Sequence, residues 1–376
     1  MTKLNRRQFL KTAGKTTAGA IALGIGGCFR SLNSKNNVDS VRTIEDVIRQ
    51  TLEVNMGYQP GERVLIVQQN WNENFPEAEK KYFRDSHAVC QAFHNTLKQD
   101  GIDITLMSYT PETAIHGTDA TLDLYKQLQD KGKFDIAYFP TAFSLSHTPF
   151  REMLCKQGCR VASMPHINMA MLTPGGPVDA DPHKVAELTE RYSKEHRNSS
   201  YVTLIGPGTN LRIQIVDGTV KQDNALLIEP GVVGNLPSGD AYCLPGPDTN
   251  GYFTVPRGWG GVEPLEYDVK FTVVNNKITR VEAEGKEGAK YVKEHILPHL
   301  QLPGSRYLGE FSRGTNHNCT SEFLDEHGWN LLPGEKKIDT FHVANGNSVL
   351  MGGNNTVPIH IDWVVPYSNI ILEPKE

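Results

Sequence analysis

From Thr43 onward, two hydrophobic periodicities alternate along the chain. Ile44 to Val54 has apolar positions at helical spacing, and Arg63-Val64-Leu65-Ile66-Val67 reads as a buried strand. A helix is predicted from Glu77, just after Pro76, to Gln99, with Tyr82, Val89, Phe93 and Leu97 on its apolar side. Ile102 to Ser108 predicts a strand, Leu122 to Asp130 a helix, Phe134 to Phe139 a strand, Phe150 to Lys156 a helix and Arg160 to Met164 a strand. Such alternation predicts a mostly parallel sheet flanked by helices, because each crossover helix returns the chain to the same end of the sheet.

Residues 167–182 are rich in Pro, Gly and Asp and predict a loop, followed by a helix from His183 to Glu195. Beyond Ser200 strands dominate: Tyr201 to Ile205, Leu211 to Val216, Tyr267 to Val274, Lys277 to Glu282, Ile338 to Ala344 and Val357 to Val365. Asn275-Asn276 predicts a hairpin turn, and a helix from Gly288 to Leu297 should stop at Pro298. The expected organisation is an α/β domain over 41–199 and a strand-rich α+β domain over 200–376. No internal repeat appears.

Composition leaves this picture unchanged. The chain has 376 residues, of which 38% are hydrophobic and 22% charged, and a net charge of −5. There is no basic stripe to hold nucleic acid and no acidic run to keep the chain unfolded.

The amino terminus has a different character. Arg6-Arg7-Gln8-Phe9-Leu10-Lys11 followed by a weakly apolar Ala/Gly stretch is too short and glycine-rich to span a membrane. It resembles the twin-arginine export signals, which carry proteins across already folded. Ile25-Gly26-Gly27-Cys28 resembles a lipoprotein cleavage box, so residues 1–28 are expected to be a signal and 29–40 a polar linker. The mature protein would then be periplasmic, or membrane-anchored through a lipid on Cys28. Of the remaining cysteines, Cys155 and Cys159 are close enough in sequence to bridge in an oxidising compartment.

Candidate chemistry lies in the last third. In Pro358-Ile359-His360-Ile361-Asp362-Trp363, strand periodicity puts His360 and Asp362 on one face and Ile359, Ile361 and Trp363 on the other. An imidazole beside a carboxylate is a compact metal-ligand pair; a plain hydrogen-bonded pair would look the same. His342 alternates with Phe341 and Val343 and shares its face with the small Thr340 and Ala344. Alone it reads as a core histidine, but two strands each presenting a histidine favour a site. In Leu308-Gly309-Glu310 the glycine permits a bent backbone and an inward carboxylate. Asn235-Leu236-Pro237-Ser238-Gly239-Asp240 is a turn presenting Asp240. His317-Asn318-Cys319, His87 with His94, and Gly206-Pro207-Gly208 lack the spaced partners that would make them sites.

Together, and in this order, these pieces resemble the aminopeptidase T family of dinuclear metallopeptidases, with Gly208-Thr209-Asn210-Leu211, Asn250-Gly251, Glu335-Lys336 and Gly353-Asn354 matching as well. The resemblance covers most of 45–366 and is better from about 200. It implies metal ligands at Asp240, Glu310, His342, His360 and Asp362, two zinc, cobalt or manganese ions, a small peptide or amide substrate, and a homodimer. The family carries Glu where this chain has Asp240, and an active-site Tyr where it has Val349; Arg313, Asn316 or His317 would have to replace the lost phenol. Two metals sharing a water lower its pKa towards neutrality, so the expected activity is removal of an N-terminal residue or cleavage of a related amide. A second resemblance, to the dihydroxypyridine ring-cleaving dioxygenases, implies one iron(II) on His342, His360 and Asp362. Those enzymes place another His where this chain has Glu310. A third expectation is a non-catalytic lipoprotein that binds a metal or ligand.

Overall fold

A computed structural model describes residues 41–375 except Val262. The amino-terminal signal, the linker and Cys28 lie outside the described residues. The predicted alternation is present. Strands β1 (Arg63–Gln69), β2 (Asp103–Tyr109), β3 (Ile136–Thr141) and β4 (Arg160–Pro165) lie in the order β2-β1-β3-β4, all parallel. Helix α1 (Ile44–Gln50) precedes β1, and α2 (Lys80–Gln99), α3 (Leu122–Lys131) and α4 (Pro149–Lys156) connect the strands in turn. Val64 to Val67 of β1 are all apolar because both faces of the strand are covered. Val64 and Ile66 pack with Val89, Phe93 and Leu97 of α2, while Leu65 and Val67 pack with Leu124 of α3 and Phe150 of α4.

Helix α5 (Pro182–Arg197) leads into the strand-rich half, capped by Asp181, which accepts from the backbone N–H groups of His183 and Lys184. There follow β5 (Ser199–Gly206), β6 (Thr209–Gln214), β7 (Lys221–Asp223), β8 (Val233–Asn235), β9 (Asp240–Cys243), β10 (Asn250–Val255), β11 (Val269–Val274) and β12 (Lys277–Glu282). After α6 (Gly285–Tyr291) come β13 (Leu308–Gly314), α7 (Ser321–His327), α8 (Leu331–Lys336), β14 (Thr340–Gly346), β15 (His360–Pro366) and β16 (Asn369–Pro374). Two antiparallel sheets result, ordered β12-β11-β10-β6-β5-β16 and β15-β14-β13-β9-β7. Strand β8 instead pairs parallel with β4, extending the first sheet.

Several expectations shift. The first turn of the predicted Glu77–Gln99 helix is a tighter turn at Glu77–Glu79. Phe83 rather than Tyr82 is the buried residue there. The 167–182 loop contains short turns at Met169–Leu172 and Pro177–Asp179. The predicted Gly288–Leu297 helix begins at Gly285 and loosens over Val292–Ile296, because Pro298 has no N–H to donate. Cys155 and Cys159 are both free. Asn275 and Asn276 form the predicted hairpin turn, both with positive φ, at 52° and 60°.

The two antiparallel sheets pack face to face. Phe311, Phe341, Val343, Trp363 and Val365 of one meet Phe253, Phe271 and Val273 of the other, and the Trp363 and Phe271 rings are 4.8 Å apart. Fully burying side chains of this size contributes about 1.5–3 kcal/mol each. Apolar side chains therefore take up most of that face of the β13-β14-β15 sheet. Strand periodicity sends the intervening residues Glu310, Ser312, His342 and Asp362 to the opposite face. Helix α8 packs across that face, against β13, β14 and β15.

Candidate metal centre

Register and backbone shape bring five side chains together on that face. Glu310 pairs with Ala344, which pairs with Asp362, so a methyl group is all that separates two carboxylates across the middle strand. His342 lies one step along β14, and His360 one step along β15. The β13–β14 register shifts between Leu308 and Glu310, a bulge that turns Glu310 inward. Gly309 is required there by close approach: a Cβ would meet Asn347 O at 2.8 Å and Gly346 O at 3.0 Å. Asp240 opens β9 directly after Gly239, whose φ of 127° is open only to glycine.

All five predicted site residues converge. His342 Nε2 is 3.3 Å from Glu310 Oε1, 3.8 Å from Asp362 Oδ1 and 3.9 Å from Asp240 Oδ2. His360 Nε2 is 3.2 Å from Glu310 Oε2 and 3.4 Å from Asp362 Oδ1. Two triads have ligand atoms within 4.8 Å of one another, Asp240–Glu310–His342 and Glu310–His360–Asp362, with Glu310 common to both. His360 Nδ1 donates to Asn347 O at 2.8 Å, which makes Nε2 the ring atom that faces the carboxylates and would ligate an ion on losing its proton. Asp240, Glu310 and His342 are buried, while His360 and Asp362 are half-buried. Clustered carboxylates and imidazoles out of water are a donor set that fits a divalent cation.

The protonation states point the same way. Burial opposes ionising Glu310, but hydrogen bonds from His342 and His360 outweigh it and hold its carboxyl well below the usual range. Burial disfavours the charged form of His342, yet Glu310, Glu335 and Asp362 push its pKa up to about 9. His360 moves up as well, against burial, through Asp362 and Glu310. Without a metal, the imidazolium groups supply positive charge on this face of the cluster.

Two further residues from α8 complete it. Lys336, only 4% exposed, sets its ammonium 3.0 Å from Asp240 Oδ1, 3.6 Å from Asp223 Oδ2 and 3.7 Å from Glu335 Oε2. The Glu335 carboxyl takes no hydrogen bond from a described residue. Burial and the nearby Asp362 charge push its pKa up to about 8. The sequence gives Glu335-Lys336 no local mark of a role; only their place in the resemblance singles them out. His147, on the loop between β3 and α4, was missed altogether; its ring lies 6.4 Å from the His360 ring.

The replacements expected for the missing phenol point elsewhere. Val349 is exposed on the turn after β14. Arg313 lies on the opposite face of β13, paired with Glu195 at 2.7 Å and stacked on Tyr192. Asn316 donates to Pro177 O and Ser238 O, and His317 Nε2 accepts from the Asp181 backbone.

No family model matches this chain, and no curated protein matches it by sequence. Solved structures do. The chain is similar to 2,5-dihydroxypyridine dioxygenase from Pseudomonas putida KT2440, with 12% identity, a TM-score of 0.63, and coverage of 88% of this chain and 95% of that one. It is also similar to wild-type AmpT from Thermus thermophilus, with 12% identity, a TM-score of 0.51, and coverage of 87% and 93%. Both likenesses show a shared fold: a parallel α/β layer with antiparallel sheets in the carboxyl-terminal region.

Proposed function

We propose that this chain is a metal-dependent hydrolase that removes an N-terminal residue from a small peptide or cleaves a related amide. The observation that carries this reading is the pair of ligand triads sharing Glu310. The residues that would hold the metals are Asp240, Glu310, His342, His360 and Asp362, and zinc, cobalt or manganese suits the mixed imidazole and carboxylate set. Metals bound there would supply a water acidified towards neutrality and a polarised carbonyl.

The chain's own residues do the rest. Asn347 O fixes the His360 ring, and Ser312 Oγ orients Asp240 by donating to Oδ2 at 2.7 Å. Glu335, with its pKa pushed up to about 8, can take a proton from an attacking water and return it to a leaving amine near neutral pH. His147, 6.4 Å from the His360 ring, stands near enough to contact a substrate bound at this centre.

The alternative, a mononuclear iron(II) dioxygenase, needs His342, His360 and Asp362 as an open triad. Those three do approach one another, at 3.4 Å and 3.8 Å. Glu310 contacts both imidazoles and would take a position that oxygen chemistry keeps open, so hydrolysis is favoured. The test is release of free amino acid from unblocked peptides by zinc-, cobalt- or manganese-loaded protein. Oxygen uptake on a dihydroxypyridine with iron(II), and no peptide cleavage, would overturn it. Metal uptake with neither activity would mark a binding protein. We also propose twin-arginine export and a lipid anchor at Cys28, on the residues cited above, and a homodimer, on the resemblance. Palmitate labelling lost in Cys28→Ser and sedimentation of the purified chain test these.

A further inference from the structure

The two triads share Glu310 but differ in how the rest of the chain treats them. In the Glu310–His360–Asp362 triad, the imidazole is braced from behind by Asn347 O at 2.8 Å. No lysine or arginine pairs with Asp362 among the described residues, so its carboxylate is available to a cation. In the Asp240–Glu310–His342 triad, Asp240 Oδ2 accepts from Ser312 Oγ at 2.7 Å and Oδ1 faces the Lys336 ammonium in an ion pair at 3.0 Å. His342 Nδ1 is buried without a partner, so nothing fixes that ring from behind.

Lys336 is anchored in this position. It is 4% exposed, and Asp223 and Glu335 hold it from two other directions. An ammonium so enclosed is costly to move, because leaving would strand carboxylates in a poorly solvated place. A divalent ion on Asp240 would sit beside this fixed positive charge, where interior screening is weak.

We propose that Lys336 serves as a built-in cation of one subsite, so that the two subsites load unequally. The Glu310–His360–Asp362 subsite takes a divalent ion first and tightly. The Asp240–Glu310–His342 subsite takes a second ion weakly, with the ammonium supplying charge there meanwhile. This rests on the metal-centre reading above and deepens it.

The experiment titrates metal-stripped full-length protein with zinc and with manganese by calorimetry. The expected result is two phases, the second weaker on the order of 10- to 100-fold, the span by which neighbouring groups tune metal affinity. Lys336→Met, which keeps length and removes charge, should tighten the second phase and leave the first unchanged; Lys336→Arg should resemble the parent. Two equal sites in the parent, or no change in Lys336→Met, would overturn the proposal. Should Lys336→Met fail to fold, manganese paramagnetic resonance on the parent decides. Isolated-ion spectra up to one equivalent support the proposal, and coupled-pair spectra from the first addition overturn it. Equal loading with peptide cleavage would sink unequal loading alone. Failure to bind either metal would sink the metallohydrolase reading as well.

Discussion

Glu335 takes no hydrogen bond from a described residue and has its pKa pushed up to about 8, and that makes it the residue whose replacement tests the chemistry most directly. Glu335→Gln preserves shape and removes the proton-accepting oxygen. We expect kcat to fall by roughly 10²- to 10⁴-fold with metal content unchanged, measured by peptide turnover and metal analysis on one preparation. Turnover within a few-fold of the parent would remove Glu335 from the mechanism. At this scale the sequence was partly legible. His360 and Asp362 share a face because a strand repeats every two residues, and Ile361 and Trp363 turn towards the core as that rule requires. Asp240 and Glu310 look like ordinary turn and edge acids, and only the family resemblance drew them together. Glu335 and His147 have no periodic or spacing mark. Glu335 comes from a six-residue helix laid across three strands, and His147 from a loop on the other sheet.

At the scale of elements, length decided what could be seen. Runs such as Arg63–Gln69 and His360–Pro366 are long enough to read as strands, the first as a continuous apolar stretch and the second by its alternation. Strands β7, β8 and β9 have three or four residues each, too few for any period, although β9 delivers Asp240. The β13 bulge was anticipated from Gly309-Glu310, but its purpose shows only in three dimensions. Gly309 lets the 346–348 backbone pass close by, and that backbone contains the Asn347 carbonyl that orients His360. Gly309→Ala should push this segment outward. The expected outcome is metal affinity lower on the order of 10- to 100-fold in a protein whose circular dichroism is unchanged. An unaltered titration curve would show that the strand absorbs the methyl group without disturbing His360.

For the whole molecule, the centre couples stability to pH with a sign that depends on metal. In the metal-free protein His342 has its pKa raised to about 9 from an ordinary 6.5. Its contribution is therefore complete below 6.5 and lost as pH rises through about 9. Glu335 adds to that loss, since its pKa is raised to about 8 from 4.5 and folding favours its neutral form. Glu310 and Asp362 are shifted down, so their contributions fail only in acid, below the ordinary carboxylate range. For His342 alone, a shift of this size corresponds to something on the order of 3 kcal/mol. Metal-free protein should thus melt at progressively lower temperature between pH 6.5 and 9. A bound metal would reverse the slope over the same range, because a ligating imidazole must first lose its proton and protons compete with the ion. Thermal melts across that range, in chelator and in saturating zinc, should diverge as pH rises. Stripped protein that grows more stable towards pH 9 would mean that His342 and Glu335 do not hold their protons in the fold, and the charge arrangement proposed for the centre would fail with them.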